Sequence, residues 1–346
     1  MTTWTRDLIT SLIGLWIVTG VYIDGWAHVN LDGALETFFT PWHATFYSGL
    51  AVFFAWLGLV WLRSGRAFPP GYKAGAAGAA IFAAGGAFDM FWHELLGIET
   101  SIDALLSPPH LILLSGVLLM GTTAWRSQRI ASAGGTTLPE LISLTSVVAI
   151  SAFFLNFLAP FRWAAPVLDY LEHQDESTVI QWIGGLLVFT ALLLIPVLWQ
   201  VRDGRYRAGT LTVFTLATGV GVIAAMSLGW DKQLLFTGLA GALIGAIAAE
   251  LFFAVAPWRA WTYGLPIAMG VAGFTIWTGQ FIGYSLAAPI AWPVALWAGS
   301  LLFAAGAGAA LGAVAWRSDS PQRVRPDRPA TEHTQAEDAR LTESAV

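Results

Sequence analysis

The stretch DLITSLIGLWIVTGVYIDGWA, residues 7–27, decides the fold class. Between Asp7 and Asp24 it carries no charge, and as a helix it is long enough to cross the roughly 30 Å of a bilayer's hydrocarbon. No small-residue cleavage site follows it, so it reads as a retained helix rather than a leader peptide. The rest of the chain repeats the pattern. Of 346 residues, 56% are hydrophobic and 11% charged, a balance that leaves too little polar side chain to coat a soluble domain. Mean hydropathy is +0.64.

Apolar runs of this kind are expected at about ten places: 7–27, 41–62, 74–96, 106–125, 139–159, 178–200, 208–229, 235–256, 263–284 and 292–315. The expected fold is therefore an all-α integral membrane protein of about ten transmembrane helices, with the lipid bilayer as its main partner. Arg6, Arg63, Arg66, Lys73, Arg126, Arg129, Arg202, Arg205, Arg207 and Arg259 alternate onto one side of such a topology. The other side holds Arg162 and Lys232 among many acids, including Asp32, Glu36, Glu99, Asp103, Asp169, Glu172, Asp175, Glu176 and Asp231. The bias predicts cytoplasmic N and C termini in a multi-pass protein of the cell membrane.

Residues 1–130 form one expected unit, 131–316 a six-helix scaffold, and 317–346 a polar tail unable to bury a core. Tryptophans such as Trp26, Trp42, Trp92, Trp163, Trp230 and Trp292 fall at expected interfaces, where an amphipathic ring suits the headgroup layer. GALIG (241–245) and GAALG (308–312) are small-residue spacings that permit close helix packing. A net charge of −5 without a basic stripe gives no reason to expect nucleic acid, and the lack of Cys excludes thiolate ligands and thiol nucleophiles.

The first four spans read as an internal two-helix repeat. GVYIDGWAH (20–28) and TPWHATFYSG (40–49) correspond to GAFDMFWH (86–93) and SPPHLILLSG (107–116). Asp24 and Asp89 are 65 positions apart, as are His28 and His93, while His43 and His110 are 67 apart. Each Asp-x3-His places both side chains on one helix face. Thr40 and Ser107 suit N-caps, Pro41 and Pro108 the first helical position, and His43 and His110 the third. One carboxylate and two imidazoles per copy form a ligand set suited to copper, zinc or non-haem iron. Ionisable groups inside spans are costly and mark function more often than packing. The expected metal ligands are thus Asp24, His28, His43, Asp89, His93 and His110, facing the extracytoplasmic side. Two separate ions or one shared dinuclear centre both fit this pattern.

Asp24-x3-His28 followed by FTPWHATFY (39–47) resembles the signature of the C subunit of particulate methane and ammonia monooxygenases, the copper membrane monooxygenase family. The resemblance spans about residues 15–120 and implies copper held by Asp24, His28 and His43, with a second constellation at Asp89, His93 and His110. Asp89 stands where that family carries Asn, and spans five to ten match nothing in that subunit. The implied activity is oxidation of a small apolar substrate with O2, supplied by an electron donor and further membrane or extracytoplasmic subunits, with homo-oligomerisation compatible. Two rival expectations stand beside it: a non-enzymatic copper acceptor or transport protein, and an ion- or proton-coupled transporter. Lesser polar candidates are Glu94 and Glu99 beside the second pair, Asp169, Glu172 and His173 in a covering loop, Gln181 and Gln280 near helix ends, and Glu250 inside a span.

Overall fold

A computed structural model describes residues 1–31, 40–97, 102–132, 134–168 and 176–318. All regular structure among them is helical: α1 (Thr3–Asn30), α2 (Pro41–Arg63), α3 (Tyr72–Leu96), α4 (Ile102–Leu106), α5 (Pro108–Gly121), α6 (Thr123–Ala131), α7 (Leu138–Phe154), α8 (Glu176–Arg202), α9 (Thr210–Met226), α10 (Lys232–Val255), α11 (Gly264–Ala287) and α12 (Val294–Ser318). Seven of them, α1, α2, α3, α8, α10, α11 and α12, are long and apolar enough to cross a membrane. The expected spans 106–125, 139–159 and 208–229 correspond to shorter helices of 14, 17 and 17 residues, α5, α7 and α9. At about 1.5 Å per residue these fall short of the full hydrocarbon thickness. The acidic segments 32–39 and 169–175, Glu99, and the tail from residue 319 lie outside the described residues.

Packing follows side-chain size. α1 lies against α2 and α7, α3 against α5, and α10, α11 and α12 form a tight row. Small residues set the spacing in that row. A Cβ added at Gly241 would sit 2.0 Å from the Gly279 carbonyl oxygen, and one at Gly245 would sit 2.0 Å from that of Thr275. Backbones this close gain dispersion contacts that a lipid tail cannot match. The headgroup expectation fails for Trp292. It is 2% exposed, buried edge-on against Trp182 at 5.2 Å and near Phe281 at 6.3 Å.

Polar clamps join the helices at the end of the bundle where the arginines gather. Buried Asp7 accepts from Tyr72 Oη at 2.8 Å, Gln128 Nε2 at 2.6 Å and Arg6 Nε at 3.1 Å. Arg6 reaches on to Ser127, Arg129 pairs with Asp203, and Arg205 binds the buried Glu140 carboxylate at 2.7 Å. Glu250 is also saturated. Its Oε1 accepts from Tyr206 Oη and the Leu211 amide, and its Oε2 from the Gly209 amide and Thr212 Oγ1, all within 3.0 Å. The N-cap of α9 is Gly209, which has no side chain to offer, so a carboxylate from α10 caps it instead. The intramembrane acid flagged in the sequence is thus a cap for a neighbouring helix.

Two measurements check this scaffold. Gly241→Ala is expected to destabilise the detergent-solubilised protein by about 2 kcal/mol through overpacking. Gly299→Ala, with open space around its Cβ, should be neutral or slightly stabilising in the same thermal melt. Tyr206, in the connection between α8 and α9, has its phenol pushed above the usual range by burial and by the Glu250 carboxylate. A phenol that ionises later when folded contributes stability fully present below about pH 10, the unfolded value, and lost as pH rises beyond it. Alkaline unfolding scans should therefore show a loss above about pH 10 that is smaller in Tyr206→Phe.

Candidate metal centre

Local sequence fixes the start of α2 and the orientation of the His43 ring, and the packing of α1 on α2 brings Asp24 and His28 to it. Thr40 is the N-cap of α2, its hydroxyl accepting from the His43 amide at 3.2 Å, and Pro41 pre-sets the first turn. The same hydroxyl lies 2.8 Å from His43 Nδ1. One short side chain therefore starts the helix and holds the imidazole, leaving Nε2 toward α1. There, His43 Nε2 is 3.5 Å from Asp24 Oδ1, and His28 Nε2, one turn along α1, is 3.7 Å from Asp24 Oδ2. One ligand atom from each of Asp24, His28 and His43 lies within 4.8 Å of the other two.

These separations are too long for good hydrogen bonds. Asp24 Oδ1 is buried and accepts none. A buried carboxylate oxygen without a donor costs free energy unless something cationic satisfies it. The donor set, one carboxylate oxygen and two imidazole nitrogens, suits that cation being copper, zinc or non-haem iron. The residues present therefore fit a bound transition metal. The His28 side chain is 44% exposed, whereas those of His43 and Asp24 are each 17% exposed, so the cluster has one open side.

Asp89 stands between two imidazoles in the same way, 3.8 Å from His93 Nδ1 and 3.7 Å from His110 Nδ1. Pro108 and Pro109 open α5, and Ser107 Oγ is 2.7 Å from His110 Nδ1. Ser107 occupies the N-cap position expected of it, yet its hydroxyl makes no capping bond to the backbone. It is engaged with the histidine ring. The two clusters are neighbours: His28 and His110 are close enough to repel when charged, and Tyr47 lies within electrostatic reach of both Asp24 and Asp89.

Tyr47 was not singled out from the sequence. It stacks on His43, with ring centroids 5.7 Å apart and planes 16° from parallel. The i,i+4 spacing of His43 and Tyr47 on α2 was the available signal. Other candidates serve the scaffold. Gln181 Nε2 donates to the Phe157 carbonyl and Gln280 Nε2 to that of Pro160, fixing the connection between α7 and α8. Glu94 is exposed, while Glu99, Asp169, Glu172 and His173 lie outside the described residues. Compared with known proteins, the chain matches no family model, no curated protein and no solved structure.

The two cap positions differ in a way that stability measurements can read. Thr40→Ala removes a backbone cap and should cost about 1 kcal/mol. Ser107→Ala removes only a bond to an imidazole and should cost less in the same thermal or denaturant titration.

Proposed function

We propose that this chain is a membrane-embedded copper protein of the monooxygenase type, oxidising a small apolar substrate taken from the bilayer. The observation that carries the reading is the convergence of Asp24, His28 and His43 within 4.8 Å around a buried carboxylate oxygen that accepts no hydrogen bond. The FTPWHATFY resemblance to the copper membrane monooxygenases selects copper over zinc or iron. Asp89, His93 and His110 form the second half of the site, and the pairing of Asp24/His28/His43 with them reflects a duplicated two-helix unit. We further infer ten membrane crossings, the shortfall of α5, α7 and α9 being met by local thinning of the bilayer, with both termini cytoplasmic and the site at the extracytoplasmic face. The Lys and Arg bias supports that orientation.

Copper bound here would supply the redox chemistry through which O2 serves as oxidant. The chain's own residues do the rest. Asp24 and Asp89 offset the charge of bound metal, and Thr40 and Ser107 hold His43 and His110 by their Nδ1 atoms, contacts that fix ring orientation. His28, the most exposed ligand, sits at the open side. Electrons come from a quinol or a partner protein. The exposure of His28 also favours a second reading, a non-enzymatic copper acceptor that exchanges its ion at the outer face.

Metal analysis of the purified chain tests the proposal. Copper is expected in stoichiometric amount, and its absence when copper, iron and zinc are all supplied would sink the metal reading. Asp24→Ala/His43→Ala and Asp89→Ala/His110→Ala should each remove all of the metal if the clusters share one centre, or half if they bind separately. O2 consumption with a reductant and small hydrocarbons separates the readings: metal retained without O2 uptake favours the acceptor.

A further inference from the structure

At the arginine-rich end of the bundle, an open pocket of about 690 Å³ lies between the start of α3 and the amphipathic α6. Its walls carry three cations, Lys73, Arg126 and Arg129, between the apolar side chains of Phe68, Trp125 and Ile130. Arg129 is neutralised by Asp203 and rests over the Trp125 ring. Among the described residues the other two cations have no such partner. Half-buried Arg126 donates only to neutral acceptors, namely Thr122 Oγ1, the Leu119 carbonyl and, at 3.5 Å, the Gly71 carbonyl. Lys73 is exposed, and among the described residues no carboxylate lies within ion-pair distance of it. The pocket thus holds two positive charges that no anion among the described residues offsets, one of them partly withdrawn from water, where a counter-charge is worth most.

The walls indicate what kind of anion this is. Ile130 is 64% exposed and forms part of the rim. Trp125 stacks on Trp199 with centroids 5.6 Å apart. On the far side of that indole pair a second, apolar groove of about 460 Å³ runs between α8 and α12, lined by Ile195, Trp199, Leu311 and Val314. A soluble phosphate would neutralise the cations but leave Ile130 and this groove bare. A molecule with a phosphate at one end and hydrocarbon at the other would cover all of it. We propose that the pocket lined by Lys73, Arg126 and Trp125 binds an anionic phospholipid, its phosphate between Lys73 and Arg126 and an acyl chain along the Trp125–Trp199 pair. Basic pockets between helix ends at a membrane surface match this chemistry. The site is separate from the Asp/His clusters and stands whether or not they bind copper.

The test uses the full chain purified in mild detergent and offered mixed phosphatidylglycerol and phosphatidylcholine, with retained lipid counted by native mass spectrometry. The wild type should retain phosphatidylglycerol in preference to phosphatidylcholine. Lys73→Gln, a surface change with little risk to folding, should lower that retention about five-fold, the effect of roughly 1 kcal/mol per basic residue. Arg126→Gln should lower it similarly and Arg126→Lys restore most of it, while Arg207→Gln, at an exposed arginine between α8 and α9, should leave it unchanged. Equal retention of the two lipids, or indifference to Lys73→Gln and Arg126→Gln, overturns the proposal. So does retention of added inorganic phosphate with no lipid. A photo-crosslinking residue at position 130, activated in native membranes, gives an independent readout. Capture of phospholipid supports the assignment, and capture of the chain's own segment 319–346 assigns the pocket to the tail's carboxylates instead.

Discussion

Within hydrocarbon a buried carboxylate must be matched by donors or by a cation, because no water is present to do so, and this constraint organises the molecule from one end to the other. Asp7 and Glu250 obey it with protein groups alone, and Glu140 does so through one oxygen, Oε2, while its Oε1 has no donor. Asp7 gathers a phenol, an amide and a guanidinium, Glu140 takes the Arg205 guanidinium, and Glu250 draws two backbone amides and two hydroxyls from the start of α9. Each of these acids ties together helices distant in sequence, so its polarity becomes a structural joint. Asp24 differs. It is surrounded by imidazoles at distances too long to hydrogen-bond well, and one of its oxygens has no donor. Asp89 Oδ1 shares that lack of a donor, whereas Glu140, whose Oε1 also lacks one, has the Arg205 guanidinium on its other oxygen.

That contrast depends on rigidity elsewhere. The close backbone approach of α10 and α11 at Gly241 and Gly279, and the row they form with α12, give a body that reaches the first helices through α7, α8 and α9. α1 is the helix of the first group that packs on α7 and α9. Near one end Asp7 is locked to α3 and α6, and Tyr22 Oη donates to the Ala149 carbonyl on α7. Asp24 and His28 lie beyond these anchors, so helix packing sets their position relative to α2. The polarity of the bundle has a parallel sense. One end concentrates guanidinium groups and offers the pocket at Lys73 and Arg126, whereas the other gathers imidazoles around carboxylates.

Much of this was legible in the residues. The expected spans 41–62 and 178–200 coincide within about two residues with α2 and α8, because the Thr-Pro start and the arginine stop are local signals. The close packing near GALIG was likewise readable, since glycine's lack of a side chain is itself the cause. Less legible were partners supplied across the fold. Nothing near Glu250 in sequence indicates that it caps α9, because the need arises from Gly209, 41 positions away. Trp292 looked like an interfacial tryptophan by position, but Trp182 and Phe281 enclose it.

The sequence by itself determined the helical membrane character, the places where most helices begin, and the grouping of Asp-x3-His with a following histidine. These follow from apolar run length, proline and cap chemistry, and helical periodicity, all of which act within a few turns of chain. Tertiary structure alone decided that Asp24 faces His43 across two helices and that Asp89 meets His110 from a neighbouring one. It also decided that, among the described residues, two cations at the opposite end meet no carboxylate. The reason is physical: whether a polar group is satisfied depends on which neighbours packing brings to it, and in an apolar surrounding few neighbours are able to do so.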